Sequence, residues 1–266
     1  MSLPPALFVP GDSWLHTLDP RVKLAFAVLV TLVLLGLGHV VVFVGCLALC
    51  HALLLSARVP LARLVWAWRL MLPISVMIPV LWPLFAPAEG PSLLQIGPLV
   101  ITAPAVWEGV AAALRVDALA FACFVWLFTT DQTAMVLGFV RLGLPYEWGL
   151  SLAIALRYIP TLYTMWERVL DAQRARGLDL SGGNPVRLAR AYIPALVPML
   201  ILALRTAEHL SRALEARAFG APGCVRSSRR QLRFTGRDVA FLALIVIGCV
   251  GLLTARVVWD IGAGPV

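Results

Sequence analysis

Two short segments carry the residues best suited to a specific contact. The first reads DAQRARGLDL at 171–180 and the second LEARAFGAPG at 214–223. Each sets an alanine, an arginine and a small residue in a row: Ala175-Arg176-Gly177, then Ala216-Arg217-Ala218. A guanidinium is planar, always charged and carries its donors in a fixed fork, which suits a carboxylate-lined groove better than an ammonium does. Small neighbours let the adjoining backbone lie against the rim of such a groove. The chemistry these residues could do is docking through a charge-assisted contact, made twice. Arginine also favours helix C-termini through the macrodipole, so a single such residue has an ordinary reading too.

Other chemistry finds no residues to carry it. Lys23 is the only lysine, so a G-x-x-x-x-G-K-[ST] phosphate loop cannot exist and the chain is not itself an ATPase of that class. His16, His39, His51 and His209 are far apart and none stands in H-E-x-x-H spacing. His39 and His51 read as residues at the ends of membrane crossings. The stretch GLSL at 149–152 fails the G-x-S-x-G nucleophile pattern. Cys46, Cys50, Cys123, Cys224 and Cys249 form no C-x-x-C pair and read as packing residues. No catalytic residue, cofactor or metal site is expected.

The two triplets need elements to present them. Residues 144–177 open near a proline and close on Gly177; residues 184–223 open on Asn184-Pro185 and close on Gly220-Ala-Pro-Gly, as helices do. The two align at an offset of 41, matching Glu167 with Glu208, Ala172 with Ala213 and Arg176 with Arg217. Each is apolar early and charged late, so each must pack on other helices or lie at a membrane surface.

The rest of the chain supplies the membrane. Hydrophobic residues make up 61% and charged residues only 14%, against about 45–50% and about 25% in soluble domains. That excludes a soluble protein. The opening stretch has no basic region leading into a short apolar core, so no cleavable signal is expected. Apolar runs predict five crossings, roughly 23–37, 40–56, 70–85, 106–129 and 239–253. The turn between the first two is GLGH at 36–39, and Pro73, Pro79 and Pro83 predict kinks in the third. Two apolar arms around Gly97-Pro98 predict a small external hairpin. Arg115 and Asp117 lie inside the fourth crossing, where a mid-bilayer charge costs about 2.5–3.5 kcal/mol on insertion scales, so they should face protein or water.

Arg21, Lys23, Arg58, Arg63 and Arg69 flank one side of the first three crossings, while 36–39 and 86–105 carry no basic residue. The positive-inside rule then puts the N-terminus and the stretch from Thr130 to Asp238 in the cytoplasm, and five crossings leave the C-terminus outside. Arg256, at the far end, is an exception. The run Arg226, Arg229, Arg230, Arg233 and Arg237 precedes the last crossing and reads as a contact with anionic lipid. No aromatic stacking platform accompanies it, so nucleic acid is not expected. Trp14, Trp66, Trp68, Trp82, Trp107 and Trp259 fall near crossing ends, where interfacial anchoring explains them.

Several of these segments resemble the transmembrane component of energy-coupling factor transporters, the CbiQ-like family. GDSWLHTLDPRVKL at 11–24, TTDQTAMVL at 129–137, LRYIPTLYTMWERVLDAQRARG at 156–177 and LEARAFG at 214–220 are similar to that family's motifs, in the family's order. The second triplet departs from the pattern by ending in alanine.

The resemblance implies an all-α polytopic scaffold with about five transmembrane helices and long coupling helices. These would end in Ala175-Arg176-Gly177 and Ala216-Arg217-Ala218, docked into two cytoplasmic ABC-type ATPase subunits. A separate membrane-embedded subunit would capture a vitamin or a transition-metal ion such as cobalt or nickel. The expected division is a membrane domain at 1–130, a coupling domain at 131–225 and a basic segment with the final crossing at 226–266. A secondary transporter working without ATPases is the alternative; it would want mid-membrane ionisable groups, of which Asp117 is the only acidic one.

Overall fold

The computed structural model describes residues 8–86, 92–96, 99–178, 185–219 and 234–259. Its helices are α1 (Trp14–Thr17), α2 (Pro20–Gly36), α3 (Val40–Ser56), α4 (Leu61–Phe85), α5 (Ala103–Thr129), α6 (Gln132–Arg141), α7 (Tyr146–Ala175), α8 (Pro185–Glu215) and α9 (Gly236–Trp259). Strands β1 (Ser92–Ile96) and β2 (Leu99–Thr102) pair antiparallel, with Ile96 opposite Leu99, where the Gly97-Pro98 signal put a hairpin. Cys224, Arg226, Arg229, Arg230 and Arg233 lie outside the described residues.

The chain forms two compact units. One is built from Ala6–Pro145 with Leu232–Val266, the other from Tyr146–Gln231. The first is organised around α5, which packs against α2, α3 and α4. Phe26, Leu34, Phe43, Leu54, Phe121 and Phe128 fill its core. Gly109 permits the close approach of α5 to α4: a Cβ there would stand 2.9 Å from Pro79 Cα and 3.0 Å from Trp82 Cβ. The outer face of α4 exposes Val65, Leu72, Val76, Val80 and Phe85. An apolar wall of that size belongs in lipid, not water. Helices α4, α5 and α9 are long and apolar enough to cross a membrane, and α3 is a shorter apolar helix. This is a multi-pass membrane protein.

Helix α4 starts at Leu61, nine residues before the expected crossing, because Pro60 starts the helix and a helix need not end where the hydrocarbon does. Trp68 therefore turns inward rather than anchoring an interface. Its Nε1 donates to His51 Nε2 at 3.0 Å, and His51 Nδ1 lies 2.8 Å from the Leu47 carbonyl. His51 is thus a packed, fully bonded ring beside Phe121, not a residue at a crossing end. His39 does sit at an end, as the N-cap of α3.

The charges inside the crossings have protein partners. Arg115 Nη2 donates to the Leu37 carbonyl at 3.1 Å and its guanidinium lies 4.9 Å from the centre of the Phe43 ring. Asp117 accepts from Ser75 Oγ at 2.6 Å, which ties α5 to α4.

The GDSWLHTLDPRVKL segment is a clamp. Ser13 Oγ lies 2.7 Å from His16 Nδ1, and His16 Nε2 lies 2.9 Å from the Val9 carbonyl. Burial holds the His16 pKa below the ordinary histidine value, so the neutral ring is favoured. Asp19 caps α2 by accepting from Arg21 N, and Pro20 fills the first helical position. Lys23, almost fully buried, donates to the Thr129 carbonyl at 2.8 Å and the His16 carbonyl at 3.3 Å. The sole lysine joins the start of α2 to the end of α5.

Candidate functional site

Helices α7 and α8 make up the second unit. They meet where Trp166 stacks on Tyr192, ring centres 6.0 Å apart, and where Val169 and Leu170 bury Ala195. Gln173 Nε2 donates to the Pro194 carbonyl at 3.1 Å, so the end of α7 lies beside the first half of α8. From Pro194 the chain continues helically towards Arg217. At about 1.5 Å of rise per residue the second triplet stands roughly 30 Å beyond that meeting point. The two tips are separate places, not one patch.

Both tips fold the same way. At the first, Leu178 N donates to the Gln173 carbonyl at 3.0 Å and Gly177 N to Arg174 at 2.9 Å. At the second, Phe219 N donates to Leu214 at 2.9 Å and Ala218 N to Glu215 at 2.8 Å. Each pair is a Schellman ending, closed by a residue in the left-handed region: Gly177 at φ +89° and Ala218 at φ +54°. The bonds repeat atom for atom at the offset of 41 seen in the sequence.

A Schellman ending alone says little about docking, since α3 closes the same way at Arg58 and α6 at Gly143. What differs is the residue just before the left-handed one. It is Ala57 in α3 and Leu142 in α6, but Arg176 and Arg217 at the tips. Both arginines are exposed, and among the described residues neither guanidinium has a hydrogen-bond or ion-pair partner. Their neighbours are engaged locally: Arg174 pairs with Asp171 at 3.0 Å, and Glu215 accepts from Ser211 at 3.0 Å. Ala175 and Ala216 are exposed beside them. Each tip thus offers one uncommitted guanidinium on a fixed turn, flanked by small residues.

The second tip carries local strain. Alanine in the left-handed region costs about 1–2 kcal/mol, where glycine costs nothing comparable. Nothing lies within 4 Å of where a Cβ would stand at Gly177, so the sites differ in backbone cost and not in room. Ala218→Gly should therefore stabilise the α8 ending by about 1 kcal/mol, read as several-fold slower amide exchange at Ala218 and Phe219. The sequence pointed to a stop at Gly220; the helix closes earlier because Leu214 and Phe219, both half-buried, flank the cap. The signal was available in the hydrophobic pair at matching places, Leu178 and Phe219.

Helix α8 also bears a stripe of exposed apolar residues, Ile193, Leu196, Val197, Leu200, Ile201 and Leu204, on the side away from Ala195. By length and composition alone, Arg190–Glu215 qualifies as a membrane span. Helices α3 and α9, by contrast, are apolar on nearly every face. No group of three or more His, Cys, Asp or Glu residues that could hold a metal exists among the described residues. The four described cysteines are free thiols.

A family model described as cobalt transport protein, CbiQ, matches residues 11–226. A protein of Thermosediminibacter oceani named energy-coupling factor transporter transmembrane protein EcfT is 32% identical, covering 95% of this chain and 97% of the relative. Proteins of the same name from Bacillus selenitireducens (34% identical, 94% and 95% covered) and Brevibacillus brevis (32%, 92% and 95%) are similar to it over the same extent. These matches establish that the chain belongs to the CbiQ/EcfT family, the non-catalytic transmembrane components of energy-coupling factor transporters.

Proposed function

We propose that Ala175-Arg176-Gly177 and Ala216-Arg217-Ala218 are the points at which two cytoplasmic ABC-type ATPase subunits dock. Movements driven by ATP hydrolysis would pass through α7 and α8 to a separate membrane-embedded subunit that captures a vitamin or a transition-metal ion. The observation that carries this reading is the identical cap at both tips, with an arginine at the same place in each whose side chain has no partner among the described residues. The apolar stripe of α8 supports it from the other side, since a captured-substrate subunit in the membrane would meet an apolar surface. Anionic lipid at the basic run before α9 completes the proposed set of partners. Copurification with a tagged chain tests the assembly. Mass spectrometry should find two ATPase chains and one small hydrophobic subunit per scaffold; a chain that transports substrate with no ATPase present contradicts the reading.

The reading also fixes where the tips lie. Both must be cytoplasmic, which makes α8 an interfacial helix rather than a crossing. Single cysteines at Ala175 and Ala216, on a background with the native cysteines replaced, should both react with an impermeant maleimide only after cells are permeabilised. Labelling of one of the two from outside would make α8 a span and would separate the tips by a bilayer.

A further inference from the structure

A groove of about 610 Å³ runs between α2, α3 and α9. Its walls are almost wholly apolar, from Phe26 and Phe241 at one end to Leu34, Val41 and Leu252 at the other. Phe241 closes the first end, with Trp14 5.7 Å and Phe26 6.1 Å away between ring centres. Val41, Leu244, Ile247 and Leu252 are exposed along it, so the groove opens sideways, out of the helix bundle. Gly45 and Gly248 face one another's helices across it, and a Cβ at either would meet nothing within 4 Å. No described residue fills this space.

The far end carries charge. Arg256, one helical turn beyond Leu252, donates through Nη1 to the Gly36 carbonyl. Arg115 donates to the next carbonyl, Leu37, and its Nε is buried without a partner. Among the described residues neither arginine meets a carboxylate. The C-terminus of α2 supplies about half a negative charge. Among the described residues, two guanidiniums on adjacent carbonyls therefore leave more than one positive charge uncompensated at the end of an apolar groove.

We infer that this groove is a binding site for one anionic phospholipid, its acyl chain between α2, α3 and α9 and its phosphate on Arg256 and Arg115. The phosphodiester supplies the missing charge through charge-assisted hydrogen bonds. The acyl chain covers apolar walls that no residue of the described chain covers. The site also gives Arg256 a purpose at the end of the molecule where the other flanking basic residues are absent.

The test uses the full chain reconstituted in vesicles of equal parts phosphatidylglycerol and phosphatidylcholine, with retained lipid counted by native mass spectrometry. The wild type should keep one phosphatidylglycerol in preference to phosphatidylcholine. Arg256→Gln should reduce that preference by about fivefold to tenfold, the effect of one basic residue on an anionic lipid. Gly248→Leu, whose side chain enters open space, should lose lipid of either kind while unfolding at the wild-type temperature. Arg69→Gln removes the same charge from an exposed position on α4 and should leave the preference unchanged. Equal retention in all four proteins overturns the inference. A photoreactive residue at Leu252 that joins to another protein in cells, and not to lipid, overturns it in favour of a partner helix.

Discussion

Arg176→Glu combined with Arg217→Glu is expected to abolish uptake and release the ATPases while the scaffold remains folded in the membrane. The reasoning is a comparison of magnitudes. If each arginine only complements a helix dipole, reversing its charge costs about 0.3–1 kcal/mol of local stability and leaves assembly alone. If each enters a groove and pairs with a carboxylate, losing the buried charged pair costs about 2–5 kcal/mol. That is roughly 30-fold to several thousand-fold in affinity per tip. Single changes should weaken assembly and transport without ending them, because the other tip holds. Arg229→Glu, in the basic run before α9, is the control for charge alone and should affect transport far less. Both tips are exposed, so the folded scaffold loses nothing buried in the single or double tip variants.

The second large effect concerns the clamp in the membrane unit. Lys23→Met should lower stability by about 3–5 kcal/mol, a large part of a typical total of about 5–15 kcal/mol. Lys23 is 2% exposed. Removing it strands the Thr129 and His16 carbonyls and takes away a cation that interacts electrostatically with two buried carboxylates, Asp238 and Asp19. Asp238 is already fully used: it accepts from Asp19 N at 2.8 Å, Thr235 N at 2.8 Å and Thr235 Oγ1 at 2.6 Å. One oxygen of Asp19 has no partner, so it cannot absorb the loss. The unfolding midpoint in detergent should fall by about 10 °C. Asp238→Asn on that background should not rescue the loss, because both carboxylate oxygens accept from backbone N–H groups and an amide presents only one acceptor oxygen.

Much of the fold was legible because lipid makes apolar runs and turns explicit. The turn at 36–39 bounds α2 and α3 within a residue or two, and Gly97-Pro98 marks the step from β1 to β2. What escaped was long-range pairing. Nothing in the sequence ties Asp117 to Ser75, or Arg115 to the carbonyl of Leu37, because each bond spans a helix–helix contact whose register depends on packing. His51 escaped for the same reason, as its partner Trp68 sits on the next helix. Helix α6 packs on α2, where Gly138 approaches Pro20, and the compact units divide at Pro145 and Tyr146. At the tips the arginines and their repeat were visible. Their common cap was not, because alanine at 218 signals helix rather than a left-handed turn.

The central claim is that each tip touches an ATPase, and site-directed photo-crosslinking reads that contact without disturbing either arginine. A photoreactive amino acid at Ala175 or at Ala216 places the reactive group beside Arg176 or Arg217 on an exposed surface. Irradiated cells should yield, from each position separately, an adduct between the scaffold and a cytoplasmic ATPase subunit, and the adduct should vanish when the neighbouring arginine is changed to glutamate. ATPase subunits that copurify with the scaffold yet form no adduct at either position would contradict the account and leave Arg176 and Arg217 as ordinary helix ends.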